Sequence, residues 1–442
     1  MKTFKRIAIL ILTVSLIFVG TVNSSDTNKK VCDWNFLVYM VSNNNLHGFA
    51  DKNISQMLEV GSNKNINILV QVDTYGKNEA CRYFISKNDP VLIEAQTNNF
   101  QSISGTPDNL FGFVQWAVKS FPAKHQALIL WDHGSGVQDP NIWGKDRFNY
   151  PRNIFYPNPK TGLLELDRKY RTNKGIGFNE IFQKYLTNQD ITLTVEKISN
   201  ELLKGKKIDI IGMDACLMSM VEIGSQLKDY VSYMVSSQEV EPGSGWEYNR
   251  VLEPFIYKTF TPEEFSKQIV FSYKDAYQYT HTNYTQSSVD LSKHEKLEIN
   301  IDSIATLLVK VMQGENSMVF TSNIRRIRNS LSYTTSFSNK DYIDLQHFYK
   351  SLLDVSISLE DRVFDRTYLK LLQDLLLEGI QLIKHSVVDN VSCNRIPNAN
   401  GLSIYFPVNK IHSSYYKTIF AKNNNWINFI DMYLKKTQCN YC

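Results

Sequence analysis

A chain of 442 residues, 43% hydrophobic and 21% charged, has the material for a sizeable packed core. At roughly 100–200 residues per domain its length allows two or three domains. The formal net charge is only +4 and no basic block stands out, which argues against nucleic acid as the main partner.

The chain opens on an address. Lys2, Lys5 and Arg6 precede the apolar run Ile7–Val19, and Val22-Asn23-Ser24 follows as a cleavage site. That run is too short and wrongly flanked for a spanning helix, so residues 1–24 are expected to be a removed signal peptide. No later stretch approaches spanning length. The mature chain is expected to be exported, secreted or periplasmic, and not held at a membrane.

The next elements alternate. FLVYMVS (36–42) is a continuous apolar run of the kind covered on both faces, and Asn43-Asn44-Asn45 turns the chain. A helical spacing runs over 50–60, and INILVQV (66–72) is a second buried strand ending at Asp73. Residues 83–85 read as a hairpin arm. A helix over 109–121, with Leu110, Phe113, Val114 and Ala117 on one side, stops at Pro122, and the strand 125–131 follows. Residues 134–178 form a long insert holding Pro140, Pro151, Pro157 and Pro159 and many basic side chains; loops this long inside a compact domain are usually functional or disordered. A helix over 195–203 leads into the strand 208–213. Leu217, Met220, Val221 and Gly224 then give the inner face of a helix starting near Leu217, and 231–237 is one more strand before the turn Pro242-Gly243-Ser244-Gly245. Strands alternating with helices predict βαβ units and a mostly parallel sheet. After residue 295 the pattern is mainly helical (297–312, 368–385, 426–434), with one late strand in GLSIYFP (401–407). The expected organisation is a sheet domain over 25–295, including the insert 137–178, and a smaller, mainly helical region over 296–442 packed on it.

Sites in such sheets form at the carboxyl ends of the strands. Two chemically loaded segments end there: HQALILWDHGSG (125–136), carrying His133, and KIDIIGMDACLMS (207–219), carrying Asp214 and Cys216. A cysteine attacks a carbonyl as the thiolate, and a helix N-terminus or a histidine lowers its pKa. Cys216 is expected to open the following helix, with its sulfur near the positive end of the dipole. His133 would take the thiol proton and later protonate the leaving amine. The N–H groups of Gly134 and Cys216 are candidate oxyanion donors. Asp214, two residues before Cys216 in extended chain, should enter the same cleft. There it would select a cationic side chain; the competing reading makes it a helix cap, and the two are evenly weighted. Asp132 alternates to the other side as a structural residue. His47, His125, His281, His294, His347, His385 and His412 show no comparable partner.

Full pairing of Cys32, Cys81, Cys216, Cys393, Cys439 and Cys442 would be the bland outcome for an exported chain. If Cys216 is the nucleophile, the remaining five cannot all pair within one chain. The terminal Cys439-x-x-Cys442 reads as a tail disulfide rather than a zinc or redox site. Asn53-Ile54-Ser55, Asn283-Tyr284-Thr285 and Asn390-Val391-Ser392 are glycosylation sequons that matter only in a eukaryotic host.

WDHGSG (131–136) and IGMDACLMSMVEIG (211–224) resemble the two catalytic blocks of the clostripain-like cysteine peptidases. WNFLVYMVSNNNL (34–46), NINILVQVD (65–73), SSQEVEPGSGWEY (236–248) and GLSIYFP (401–407) extend the resemblance over most of the mature chain. It implies a caspase-like α/β/α sandwich and a Cys–His dyad without a third member, with His133 as general acid/base and Cys216 as nucleophile. It also implies Asp214 in the pocket for the residue before the scissile bond, and cleavage of peptides and proteins after Arg or Lys. Members are often activated by a cut between the two blocks. Here that segment holds Lys145, Arg147, Arg152, Lys160, Arg168, Lys169, Arg171 and Lys174, and the cluster Arg168–Lys174 is the expected processing site. No cofactor is expected; some relatives depend on calcium, and no calcium loop is recognisable here. Two alternatives stand beside this reading: a serine hydrolase using Ser135 or Ser244, neither of which lies in a G-x-S-x-G elbow, and an exported binding or adhesion protein on the same fold.

Overall fold

The computed structural model describes residues 31–77, 79–97, 103–139, 155–157, 164–166, 176–179, 181–280, 283–314, 317–359 and 366–438. The signal-peptide segment, the cluster Arg168–Lys174 and the pair Cys439/Cys442 lie outside them. The described residues from Val31 onward belong to one compact unit.

Nine strands form one sheet: β1 (Cys32–Met40), β2 (Ile66–Asp73), β3 (Glu79–Ser86), β4 (Asp89–Thr97), β5 (Ala123–Trp131), β6 (Ile208–Asp214), β7 (Val231–Ser236), β8 (Thr285–Asp290) and β9 (Val387–Ser392). Their order is β9-β8-β7-β6-β5-β1-β2-β3-β4. The centre, β7-β6-β5-β1-β2, is parallel, and each edge carries two antiparallel strands.

The helices are α1 (His47–Val60), α2 (Pro107–Ser120), α3 (Asn188–Lys197), α4 (Val221–Leu227), α5 (Tyr248–Leu252), α6 (Pro262–Tyr277), α7 (His294–Gln313), α8 (Ser317–Asn329), α9 (Leu345–Ser358), α10 (Arg366–Ser386), α11 (Ile419–Asn423) and α12 (Trp426–Gln438). Successive strand residues point to opposite faces, so each central strand feeds two cores. On one face Trp34, Phe36, Val38, Ala127, Ile129 and Ile210 pack with side chains of α1, α5 and α6. On the other, Leu37, Tyr39, Leu128, Leu130, Ile211 and Met213 pack with α2, α3, α4 and the later helices. That is why these strands read as unbroken apolar runs. Burying each such side chain contributes about 1.5–3 kcal/mol. The result is the α/β/α sandwich expected from the sequence.

Register positions the site. Trp131 of β5 lies opposite both Met40 of β1 and Asp214 of β6. The ladder runs on past the strand ends, where Asp132 N–H donates to Asp214 O (3.3 Å) and Val41 N–H to Trp131 O (3.3 Å). His133 and Cys216, each two residues beyond that shared level, therefore leave the sheet at one rim.

Three features depart from the sequence reading. The helix after Cys216 starts at Val221, not near Leu217; between them the chain turns through Leu217, a non-glycine residue held at φ 65°. α6, α8, α9, β8 and β9 are additional, and β9 brings the late part of the chain into the main sheet as its outermost strand. The strand in GLSIYFP, Ser403–Tyr405, pairs with Tyr342–Asp344.

Candidate active site

The rim is built by three segments. The first is the turn after β1. Asn44 locks it: its Nδ2 donates to Val41 O (3.1 Å), Asp132 Oδ1 (2.7 Å) and Phe178 O (2.9 Å), while its Oδ1 accepts from Leu46 N–H (2.8 Å). Asp132 also accepts from Phe178 N–H, a structural bond, but it lines the cleft with His133 rather than turning to the other side. The second segment is Asp132–Gly136. The third, Ala215–Met220, is laced to the loop after β7: Leu217 N–H donates to Glu239 O (3.2 Å), Ser219 N–H to Ser237 O (2.9 Å), and Glu241 N–H to Cys216 Sγ (3.3 Å).

His133, Asp214 and Cys216 line one small cleft together with Leu46, Trp131, Glu241, Gly243 and Gly245. Gly134 is forced by close approach. A Cβ there would sit 2.2 Å from Cys216 O and 3.0 Å from Cys216 N, so no larger residue lets the His and Cys loops meet. His133 is buried, with its Nε2 2.8 Å from Asn45 Oδ1.

Asp214 is not a helix cap. It accepts from Trp246 N–H at both oxygens (3.2 Å each) and from the Tyr248 hydroxyl (2.8 Å). Gly245, at φ +58°, makes this possible, since a Cβ there would fall 2.5 Å from Asp214 Oδ1. Burial pushes the Asp214 carboxyl up to about 6, although Glu241, Tyr248 and Trp246 oppose the rise. Glu241 stands well above its ordinary value, through burial first and then the Asp214 charge. Glu241 thus holds a proton against Asp214. Among the described residues neither Glu241 oxygen has a hydrogen-bond partner.

The thiol differs from expectation. α4 begins five residues after Cys216, so no helix dipole acts on the sulfur. Burial, then the charges of Glu241, Glu239 and Asp214, push it up to about 12 despite the bond from Glu241 N–H. The cleft offers a cavity of about 30 Å³, room for about one water. The site is assembled around this small cleft, with the thiol protonated and partly exposed.

The pattern of the clostripain family matches residues 38–158 and 161–434. This chain belongs to the clostripain family of cysteine endopeptidases. Clostripain from Hathewaya histolytica is 22% identical over 478 aligned positions, covering 93% of this chain and 82% of the relative. Two solved structures share the fold at 16% identity. A secreted C11 cysteine protease from Bacteroides thetaiotaomicron ("iotapain") aligns over 89% of this chain and 99% of its own (TM-score 0.60). An inactive zymogen C11 protease from Parabacteroides distasonis aligns over 90% and 98% (TM-score 0.57).

Other sequence candidates resolve as structure. Ser135 Oγ donates to Gln138 O (2.9 Å) and Ser244 Oγ pairs with Tyr277 OH (2.7 Å), so each has a structural partner. Cys32, Cys81 and Cys393 are buried thiols outside any disulfide, and the first two lie in strands. His125 does have a carboxylate partner, Asp209 (2.9 Å), at the opposite end of the sheet. Asn53 of the first sequon is fully buried; its Nδ2 donates to Ser244 O and Trp246 O (3.1 and 3.2 Å), pinning the loop under Asp214. Sequence reasoning missed Glu241, which lines the cleft, Asn53, which pins the loop beneath it, and Asn45, which meets the His133 ring. The Glu241-Pro242-Gly243-Ser244-Gly245 run was visible, but nothing in it says that the acid folds inward. No three His, Cys, Asp or Glu side chains are grouped to hold a metal ion, and no helix is long and apolar enough to cross a membrane, among the described residues.

Proposed function

We propose that this chain is an exported endopeptidase that cleaves after Arg or Lys through a Cys216–His133 dyad. The observation carrying this reading is that Cys216, His133 and two buried acids, Asp214 and Glu241, line one cleft at the carboxyl rim of the sheet. The cysteine supplies a nucleophile, the histidine a proton carrier, and the acids a counter-charge for a cationic side chain.

In the proposed reaction His133 takes the thiol proton and Sγ attacks the peptide carbonyl. The N–H groups of Gly134 and Cys216 receive the oxyanion. The C–N bond breaks as the imidazolium gives its proton to the leaving amine. His133 then draws a proton from water, which hydrolyses the thioester and returns the thiol. A guanidinium or ammonium beside Asp214 replaces the proton that Glu241 holds there.

The small cavity and the protonated thiol support a latent form. Activation by a cut within 137–178, at the basic cluster Arg168, Lys169, Arg171 or Lys174, would release it, and the kinship of fold with a zymogen agrees with that. Fully active enzyme that mass spectrometry shows as one intact chain would remove the processing step. Export rests on the apolar leader. The chemistry needs no cofactor, so EDTA is expected to leave turnover unchanged; a loss that calcium restores would make the enzyme calcium-dependent.

The test is a panel of fluorogenic peptides differing only at the residue before the cut. Cys216→Ala is expected to abolish turnover of every peptide. Asp214→Ala is expected to erase the preference for Arg and Lys. Full basic selectivity in Asp214→Ala would overturn the pocket assignment while leaving the dyad standing.

A further inference from the structure

We propose that Asn45 is a positioning residue for His133, the third member of a Cys216–His133–Asn45 arrangement. The proposal rests on His133 being the proton carrier and goes beyond a two-residue dyad.

Asn43, Asn44 and Asn45 follow the carboxyl end of β1 and sit on the same rim as the two catalytic loops. Their side chains do different work. Asn43 closes the turn onto neighbouring backbone, giving Nδ2 to Lys77 O (3.1 Å) and accepting Gly76 N–H at Oδ1 (2.9 Å). Asn44 holds the turn to Asp132, the residue before His133, through the bonds given above. Asn45 alone of the three turns its side chain to the histidine ring, at 2.8 Å. Its Nδ2 is buried with no hydrogen-bond partner. An asparagine kept only to shape the turn would satisfy both ends of its amide, as its two neighbours do. An unpaired buried amide costs about 1–3 kcal/mol, so the turn tolerates a local penalty while its oxygen holds the ring.

The contact has a chemical consequence. An amide oxygen only accepts, so Nε2 must carry the hydrogen and Nδ1 must carry the lone pair. The reverse amide orientation would put an N–H against Nε2 and leave Nδ1 protonated, unable to take the thiol proton. Asn45 therefore sets both the ring plane and the working tautomer. It does so without charge. Asp132, Asp214, Cys216 and Glu241 are the titratable groups lining the same cleft, and Asp214 and Glu241 already raise the thiol pKa. A further carboxylate at 45 would hold the imidazolium more tightly and slow the return of its proton.

The experiment compares Asn45→Ala, Asn45→Asp, His133→Ala and wild type in steady-state kinetics across pH, with thermal melts as a folding control. Asn45→Ala is expected to lose roughly ten- to hundredfold in kcat with KM and Tm nearly unchanged, as when an orienting partner is removed from a catalytic histidine. Asn45→Asp is expected to regain much of that kcat and to move the acidic limb of kcat/KM to higher pH, because a carboxylate stabilises the imidazolium and His133 must be neutral to take the thiol proton. Wild-type kcat in Asn45→Ala would overturn the proposal. So would an Asn45→Asp enzyme with an unshifted acidic limb, and that variant decides alone if the alanine variant does not fold. An inactive His133→Ala beside an unimpaired Asn45→Ala removes only the role of Asn45, whereas an active His133→Ala removes the dyad itself.

Discussion

Asp214 and Asp344 are both buried aspartates whose pKa is pushed up by burial, yet they are built differently. Asp344 is saturated with donors: Asn400 N–H (2.6 Å), Asn400 Nδ2 (2.9 Å), Gln238 Nε2 (3.0 Å) and His347 N–H (2.7 Å) as the cap of α9. It ties the loop after β7 to the late part of the chain and has no capacity left for a ligand. Asp214 takes one backbone N–H and one hydroxyl, then faces Glu241, whose oxygens have no hydrogen-bond partner among the described residues. Burial alone does not separate a structural acid from a binding acid. What separates them is whether the fold itself supplies all the donors.

The largest expected effects test that contrast directly. Asp214→Asn should keep the melting temperature near wild type and lose about a hundredfold or more in kcat/KM on Arg and Lys peptides, because a buried cation is left without its counter-charge. In the wild type the same selectivity should fall as pH drops through about 6, where the carboxyl protonates and its charge is lost. Asp344→Ala should do the opposite. Stranding four donors is expected to cost about 3 kcal/mol of stability, read by urea denaturation, while substrate preference is unchanged. Equal stability losses in the two variants would collapse the distinction.

Glu222 lies between the two extremes and gives a pH test. One oxygen accepts from Tyr405 N–H (2.8 Å) and the Tyr415 hydroxyl (3.2 Å); the other has no partner. Burial raises it from an ordinary value of 4.5 to about 7, so the folded state holds a proton the unfolded chain has released. Stability from this group is complete below about 4.5 and is lost as pH rises through about 7. Asp73, also raised to about 7 by burial, titrates in the same window. Glu222→Gln should flatten the decline between pH 5 and 7.5 by about 2–3 kcal/mol. An unchanged slope would mean that Glu222 titrates normally.

The parallel centre of the sheet was legible because strands covered on both faces must be apolar runs, and β1, β2, β5, β6 and β7 all are. His133, Gly134, Asp214 and Cys216 followed because such strands end at a common rim. β8 was not legible. Its sequence is Thr-Gln-Ser-Ser-Val-Asp, buried up to its last residue but polar, and it is held by side-chain pairs: Thr285 with Ser237 (2.8 Å), Ser287 with Ser219 (2.9 Å) and Ser288 with Ser266 (2.7 Å). Hydrophobic periodicity cannot find a strand whose neighbours are matched by hydroxyls. The start of α4 was misplaced for a related reason. Leu217, Met220 and Val221 have helical spacing, but the bonds from Leu217 and Ser219 to the loop after β7 override it and hold Leu217 in the left-handed region. Such strain beside a nucleophile costs about 1–3 kcal/mol and holds Cys216 outside the helix.

The smallest expected effect sharpens the comparison most, because it isolates the second acid. Glu241→Gln keeps the size of the side chain and its ability to donate toward Asp214, but it cannot become an anion. If Glu241 only keeps Asp214 company, the variant should behave as wild type. If it yields its proton when a cationic side chain enters, the pocket loses one of two charges, and Arg peptides should fall by about tenfold in kcat/KM relative to uncharged ones. Arg should suffer more than Lys, since a planar guanidinium engages two carboxylates through separate N–H groups while an ammonium acts as a point charge. Proton release measured on binding an Arg-containing inhibitor is the direct readout: it should be present in wild type and missing in Glu241→Gln. The same release in both would place the exchanged proton on another group and leave Glu241 a wall of the pocket rather than part of its charge.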